Sequence, residues 1–284
     1  MQTLAEEEPL LAAQIRYEAV EINPHRRDDL AKRMADVMPD LRFEALDPAT
    51  AAASPQAAAS IVLANEYLDA FPVHRVLQTE DGLREVFVGW RDDWFVDVVG
   101  PPSTPELEER FAAEAIRLEP GQRAEVALGL DSWLADVGRW LRAGIVIVID
   151  YGYPAAELYG RSRRAGTLMG YLDHRAIDNP LVAVGRQDLT AHVDFTAVER
   201  AATAAGMRSL GLTTQAEFLL SLGLEELLER ARSNPHQGLG EYLELRSGLV
   251  RLLDPRHAGG FRVLALGRGL PSGRPLLGLG RPGS

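Results

Sequence analysis

Two apolar runs along the chain carry no polar alternation: Ile61-Val-Leu-Ala-Asn65 and Ile145-Val-Ile-Val-Ile149. Runs of this kind suit strands covered on both faces, the condition of a parallel α/β sheet. Around them the period is helical. Residues 24–37 open with proline in the first turn, and Trp133, Leu134, Val137, Trp140 and Leu141 recur along 131–142 before Gly144. Further helices are expected over 3–15, 105–117, 194–205 (Asp194 as N-cap), 215–231 with a break near Gly223, and 239–253. Shorter strands are expected at 16–22, 41–46, 207–213 and 261–266. Strands thus alternate with helices, the signature of an open, mostly parallel α/β sheet with helices on both faces.

Three stretches break the rhythm. Residues 78–99 switch to a hairpin pattern joined through Arg91-Asp92, so an insertion is expected at about 78–130. Its Trp90, Trp94 and Phe95 fit either packing on their own domain, the favoured reading, or a partner surface. Residues 49–60 read as an alanine/serine-rich loop or a poor helix. Residues 155–193 are polar and irregular, and long irregular segments inside compact domains are usually functional or disordered. One domain is expected over 1–266, followed by a frayed tail over 267–284.

Composition narrows the function classes. The chain has 284 residues, 46% hydrophobic, enough for a full core. It contains no cysteine, which excludes disulfides, thiolate metal sites and cysteine nucleophiles. A formal net charge of −11 argues against a nucleic-acid footprint. No apolar run approaches the roughly 20 residues of a membrane-spanning helix, and the acidic start lacks the pattern of a signal or transit peptide, so a cytoplasmic location is the expectation. The histidines show no metal spacing, and no metal is expected.

Polar residues gather where the strands end, the position at which open α/β sheets bind ligands. Glu21 follows the 16–22 strand and fits either a ribose diol or a solvated strand end. Asn65, Glu66 and Asp69 follow the 61–65 strand. They fit either a cationic acceptor whose proton a carboxylate takes, or the cap and first turn of a helix. Asp150, Tyr151, Gly152 and Tyr153 follow the 145–149 strand. A fourth cluster runs from Gln187 through Asp188, Thr190 and His192 to Asp194; His192 fits a base, a substrate contact or a structural hydrogen-bonding residue.

Four motifs occur in order: Asn65-Glu-Tyr-Leu-Asp-Ala-Phe-Pro-Val-His-Arg75, Ile149-Asp-Tyr-Gly-Tyr153, Gly166-Thr-Leu with Tyr171 and His174, and Gln187-Asp-Leu-Thr-Ala-His-Val-Asp-Phe-Thr196. With them the chain resembles the MidA/NDUFAF7 family of S-adenosylmethionine-dependent methyltransferases over nearly its whole length. The resemblance implies a class I methyltransferase fold, a seven-stranded sheet with one antiparallel strand near its edge and S-adenosylmethionine as cofactor. It implies that Glu21 holds the cofactor's ribose, that Asp47 lies near adenine, and that Asn65 and Glu66 sit beside the reactive methyl group; Asp69, read from its place in the same cluster, is the third catalytic candidate. Asp150, Tyr151, His192 and Asp194 belong to the substrate side. Mitochondrial members methylate an arginine on a respiratory complex I subunit and assist its assembly, which implies a protein substrate and methyl transfer to a side-chain nitrogen. The alternative is a non-catalytic assembly factor that keeps the scaffold. One departure stands out. Met1-Gln-Thr-Leu-Ala aligns with the helix after the family's first strand and glycine loop, so the chain reads as an N-terminally short member, a fragment or a misassigned start, with unpaired neighbouring strands.

Overall fold

A computed structural model describes residues 8–53, 60–172, 175–233, 238–271 and 276–280. The chain divides into two compact units, Met1–Ala57 and Ala58–Ser284.

The first unit contains α1 (Pro9–Ala12), β1 (Arg16–Val20), α2 (Pro24–Val37), β2 (Arg42–Leu46) and α3 (Pro48–Ala53). β1 and β2 pair in parallel, with Val20 opposite Leu46. Parallel neighbours need a crossover, and α2 supplies it. That helix begins where it does because Asn23 accepts the His25 and Arg26 backbone N–H groups and Pro24 occupies the first turn. The helix expected over 3–15 is shorter in the described part, ending at Ala12. Residues 49–53, expected as loop or poor helix, are helical. Residues 54–59 of the 49–60 stretch, like His174, lie outside the described residues.

The second unit is built on a sheet of β3 (Ser60–Asn65), β8 (Gly144–Asp150), β15 (Arg262–Arg268) and β14 (Arg208–Thr214), in the order β14-β15-β8-β3. β3 and β8 are parallel in register, Ile61 opposite Ile145. β15 is antiparallel to both of its neighbours, so it alone runs against the other three strands. Val146 and Val148 of β8 are fully buried against a cluster containing Leu134, Phe195 and Leu264. Each such side chain contributes roughly 1.5–3 kcal/mol relative to exposure. The helices covering this face are α5 (Gly129–Trp140) and α7 (Phe195–Ala204). Strand β3 differs from the expectation of two covered faces. Ala64 is buried and Val62 packs on the core, but Ile61 and Leu63, on the alternate face, are 72% and 62% exposed.

The 78–130 insertion is larger than a hairpin. β4 (His74–Thr79), β5 (Gly82–Arg91), β6 (Trp94–Gly100) and β7 (Arg123–Val126) form an antiparallel sheet in the order β6-β5-β4-β7. Its own core joins Val76 and Val126 to Leu107 and Phe111 of α4 (Glu106–Ala113), and to Leu158 and Tyr159. The turn at Asp92-Asp93 takes left-handed backbone angles, which closes the predicted hairpin. Trp90 and Trp94 are 61% and 70% exposed, and Trp90 meets the hairpin's own Phe95 in an edge contact at 4.8 Å. The insertion thus packs on its own domain, as favoured, through its buried core and not through these two tryptophans.

Residues 155–193 hold more order than their sequence showed. β9 (Gly152–Tyr153) leads to α6 (Ala155–Leu158), and β10 (Met169–Leu172), β11 (Arg175–Ile177) and β12 (Asp188–Thr190) form a small sheet before β13 (Val193–Asp194). The 215–231 helix breaks at Gly223 into α8 (Gln215–Ser221) and α9 (Leu224–Ser233), followed by α10 (Leu239–Leu253). Within the tail, a 3-10 turn at Leu277–Leu279 places Gly278 where a Cβ would meet the Phe218 ring at 2.3 Å. Among the described residues, no helix is long and apolar enough to cross a membrane.

Candidate active site

Strands β3 and β8 run side by side and release their polar residues together. After Asn65 the backbone turns sharply, with Glu66 at a positive φ of 45°. Residues 66–73 form turns, so Asn65 caps no helix. The turn is held from β8. Asp150 is fully buried, and its Oδ2 accepts the backbone N–H groups of Tyr67 (3.2 Å), Leu68 (3.0 Å) and Asp69 (3.3 Å). Its Oδ1 accepts the Tyr151 N–H at 3.0 Å. Burial and the Asp69 carboxylate push the Asp150 acid up to about 7, against the pull of these donors.

The next residues are aimed by a close backbone crossing. β9 pairs in parallel with β13, Gly152 opposite Val193. A Cβ on Gly152 would lie 2.1 Å from the Val193 carbonyl oxygen, so only glycine fits. The crossing turns Tyr151 and Tyr153 toward His192, whose ring lies 5.6 Å from one and 5.7 Å from the other.

These side chains open on a cleft of about 1020 Å³. Glu66, Asp69, Tyr151 and Tyr153 line it with Met169 and Tyr171 of β10, Gln187 and Asp188, His192, and Phe261 just before β15. Asp69 is 6% exposed; its Oδ2 accepts the Tyr151 phenol, and its Oδ1 is buried without a hydrogen-bond partner. Burial and Asp69 raise the Tyr151 pKa, so the phenol stays a donor. His192 is pulled below its ordinary range by burial first and by Arg163 second, which makes it neutral at neutral pH. Its Nδ1 is buried and unpartnered, while its backbone N–H donates to Thr167 Oγ1 at 3.1 Å. Thr167 in turn donates from its backbone N–H and hydroxyl to Glu125 at 2.7 and 3.0 Å. On the other side of the Tyr153 ring system, the Arg163 guanidinium sits 3.7 Å from the ring centroid. The cleft thus offers carboxylates at the strand ends, aromatic faces, and a neutral imidazole. That combination suits a cation with several N–H donors.

The structure brings Glu66, Asp69, Tyr151 and His192 together and places Asn65, exposed, at the adjoining strand end. Two residues expected on the substrate side do not line this cleft. Asp150 has both oxygens committed to backbone N–H groups. Asp194 is the buried N-cap of α7, accepting the Ala197 N–H at 3.0 Å. Beside Asp194 lies Glu114, whose side chain is fully buried and whose acid is pushed up to about 8 by burial and by Asp194. In the first unit, Glu21 stands at the end of β1 with Oε1 accepting the Asn23 N–H at 2.8 Å. A carboxylate at this strand end suits a diol. Asp47 instead caps α3, accepting from the Ala49 and Thr50 N–H groups and the Thr50 hydroxyl, which holds its acid below the ordinary range. This cap is the contact the structure gives the residue expected near adenine. Glu125, Arg163, Met169 and Phe261 were not read from sequence; they sit in short or irregular segments with no motif of their own. Among the described residues, no group of three or more histidine, aspartate or glutamate side chains is placed to hold a metal.

Residues 1–213 match the model of a family described as "Putative S-adenosyl-L-methionine-dependent methyltransferase". The protein arginine methyltransferase NDUFAF7, mitochondrial, of Mus musculus is 33% identical over 207 residues, covering 70% of this chain and 44% of its own length. The human protein of that name is 30% identical, with 70% and 43% covered, and the Drosophila melanogaster homolog 32%, with 73% and 47%. The chain spans less than half the length of these relatives. A Burkholderia thailandensis protein crystallised with S-adenosyl-homocysteine superposes with a TM-score of 0.86 at 31% identity, covering 99% of this chain and 70% of the other. The class I methyltransferase fold expected from the sequence is borne out by that likeness.

Proposed function

The chain belongs to this family of S-adenosyl-L-methionine-dependent methyltransferases, and from that premise we propose that it methylates a side-chain nitrogen of a protein, arginine in the first instance. S-adenosylmethionine, when bound, supplies an electrophilic methyl group. The chain's own residues act on the acceptor. Glu66 and Asp69 hold a guanidinium by charge-assisted hydrogen bonds. Such contacts align one nitrogen and lower the entropy of approach. The Tyr151 phenol fixes Asp69 in one orientation, and a carboxylate takes the proton that the methylated nitrogen releases. Glu21 is the residue suited to a ribose. The observation that carries the reading is Asp69: nearly buried, oriented by Tyr151, in a cleft beside the exposed Glu66.

The test incubates the chain with methyl-labelled S-adenosylmethionine and arginine-containing peptides, with Glu66→Gln and Asp69→Asn beside it. Label on a guanidinium, lost in both variants while S-adenosyl-homocysteine binding persists, supports the reading. Label only on lysine, histidine or a terminus refutes the arginine assignment. A second reading, an assembly factor without catalysis, is favoured by the exposed Trp90 and Trp94. A partner captured equally by Glu66→Gln and never methylated would support it.

A further inference from the structure

A second depression adjoins the cleft. It has a volume of about 450 Å³. Val88 and Phe95 of the β5–β6 ribbon enter it from one stretch; Leu181, Val184 and Leu189 enter from another, with Leu168 between. Val88, Phe95, Val184 and Leu189 remain 54%, 40%, 51% and 45% exposed. Single exposed aliphatic side chains are ordinary, but four from two distant stretches facing one depression mark a binding surface. The depression is continuous with the cleft: Asp69, Ala70, Gln187, Leu189 and Thr190 line both. The two compartments differ in kind. The cleft presents the carboxylates Glu66, Asp69 and Asp188, with Arg256 and His257 also on its wall, whereas the neighbouring groove, apart from the shared Asp69 and Gln187 and from Arg75, is lined mainly by aliphatic and aromatic carbon.

We propose that this groove seats a large apolar side chain of the same polypeptide segment that presents its cationic side chain to the cleft, so that the substrate is recognised as an arginine with a leucine-like residue a few positions away; the proposal rests on the methyltransferase reading above. The occupant is a peptide segment because two features must be satisfied at once, a cation in an acidic cleft and a hydrophobe in a groove that shares its wall. A free small cation needs only the first. An extended chain advances about 3.3–3.6 Å per residue, so neighbouring positions of one strand span the two compartments. The volume is in the range that takes a compact apolar group.

The experiment measures fluorescence anisotropy of labelled nonapeptides with this chain. Each peptide has a central arginine in a glycine/serine background, with a single leucine scanned from four residues before to four after. At one or two positions leucine tightens binding about tenfold or more over the leucine-free peptide, as expected for burying one large apolar side chain. Val88→Asp together with Val184→Asp, both surface positions, brings that ratio close to one. Leu222→Asp, exposed outside the groove, leaves the ratio as it is. Circular dichroism and the urea midpoint confirm that the variants fold. Replacing arginine by citrulline weakens every peptide.

A leucine effect absent at all positions, with the citrulline effect present, overturns the groove and leaves the cationic-acceptor reading standing. Citrulline peptides that bind as well as arginine peptides, while leucine still matters, remove the acceptor reading and with it the joint recognition proposed here. A leucine gain that survives the double substitution places the hydrophobe elsewhere and overturns the assignment. No peptide binding at all, or a double variant whose only change is loss of self-association, overturns it as well; the latter marks the groove as a contact between copies of this chain.

Discussion

Asp150 makes the most direct quantitative prediction, because its bonds can be counted. Four backbone N–H groups converge on one fully buried carboxylate. Asp150→Ala removes the acceptor of all four donors. Tyr67 is exposed and Tyr151 half-buried, so their N–H groups can turn to water, but Leu68 and Asp69 are buried. Two orphaned donors at about 1–3 kcal/mol each give a loss of about 2–6 kcal/mol. Asp150→Asn behaves differently. Its amide oxygen can take the place of Oδ2 and keep three bonds, leaving an NH2 group against the Tyr151 N–H. It also removes a buried charge whose desolvation opposes folding. The expected cost is about 1–2 kcal/mol. Urea unfolding followed by tryptophan fluorescence reads both values, and SAH calorimetry reports whether the cofactor side survives. Methyl transfer should fall by about a hundredfold in the alanine variant, since an error of the order of 1 Å in a reacting group costs that much. If Asp150→Ala stays within about 0.5 kcal/mol of the parent chain, the carboxylate does not hold the turn and the argument fails.

Glu114 predicts the direction of a pH profile. Its acid is raised by burial and Asp194 to about 8, so the protonated form is the one the fold accepts. Stability is therefore full below pH 4.5 and is lost as pH rises through about 8, by an amount on the order of a few kcal/mol. Glu114→Gln should flatten the unfolding profile between these limits; parallel profiles would contradict it. Tyr151→Phe removes the donor to Asp69, and methyl transfer should drop about tenfold or more with little change in the urea midpoint. Gly152→Ala forces β9 away from β13 and should cost several kcal/mol, read by calorimetric unfolding, a size typical of forbidden backbone contacts. Leu63→Lys, on the exposed face of β3, should reduce self-association in light scattering at high concentration without lowering the unfolding midpoint.

Much of this could be read from residue order. Strands β3 and β8 announce themselves as unbroken apolar runs, and the β5–β6 hairpin as two alternating runs about a polar turn. The clusters at Asn65–Asp69 and Gln187–His192 were legible as polar residues beyond a strand or before a helix, and both reach the cleft. Asp150 and Asp194 were not. Their residue type and position suit a substrate site equally well, and the deciding fact is where the N–H donors lie. For Asp150 three of them come from a turn more than 80 residues earlier in the chain. Strands β10–β12 are three or four residues long, too short for a period of two to stand out. The exposure of Trp90 and Trp94 depends on which sheet edge the hairpin occupies, which pattern alone does not fix.

The clasp at Asp150 also has a consequence for motion. By backbone shape, Tyr67–Asp69 is a surface turn, the kind of segment that usually opens on its own. Here its amides are pinned to the end of a strand whose valines are completely buried. In hydrogen–deuterium exchange the Leu68 and Asp69 amides should open with the core sheet, orders of magnitude more slowly than the exposed loop at 182–186. The acidic edge of the cleft then behaves as a fixed template, and adjustment to different substrates falls to the residues facing it across the groove.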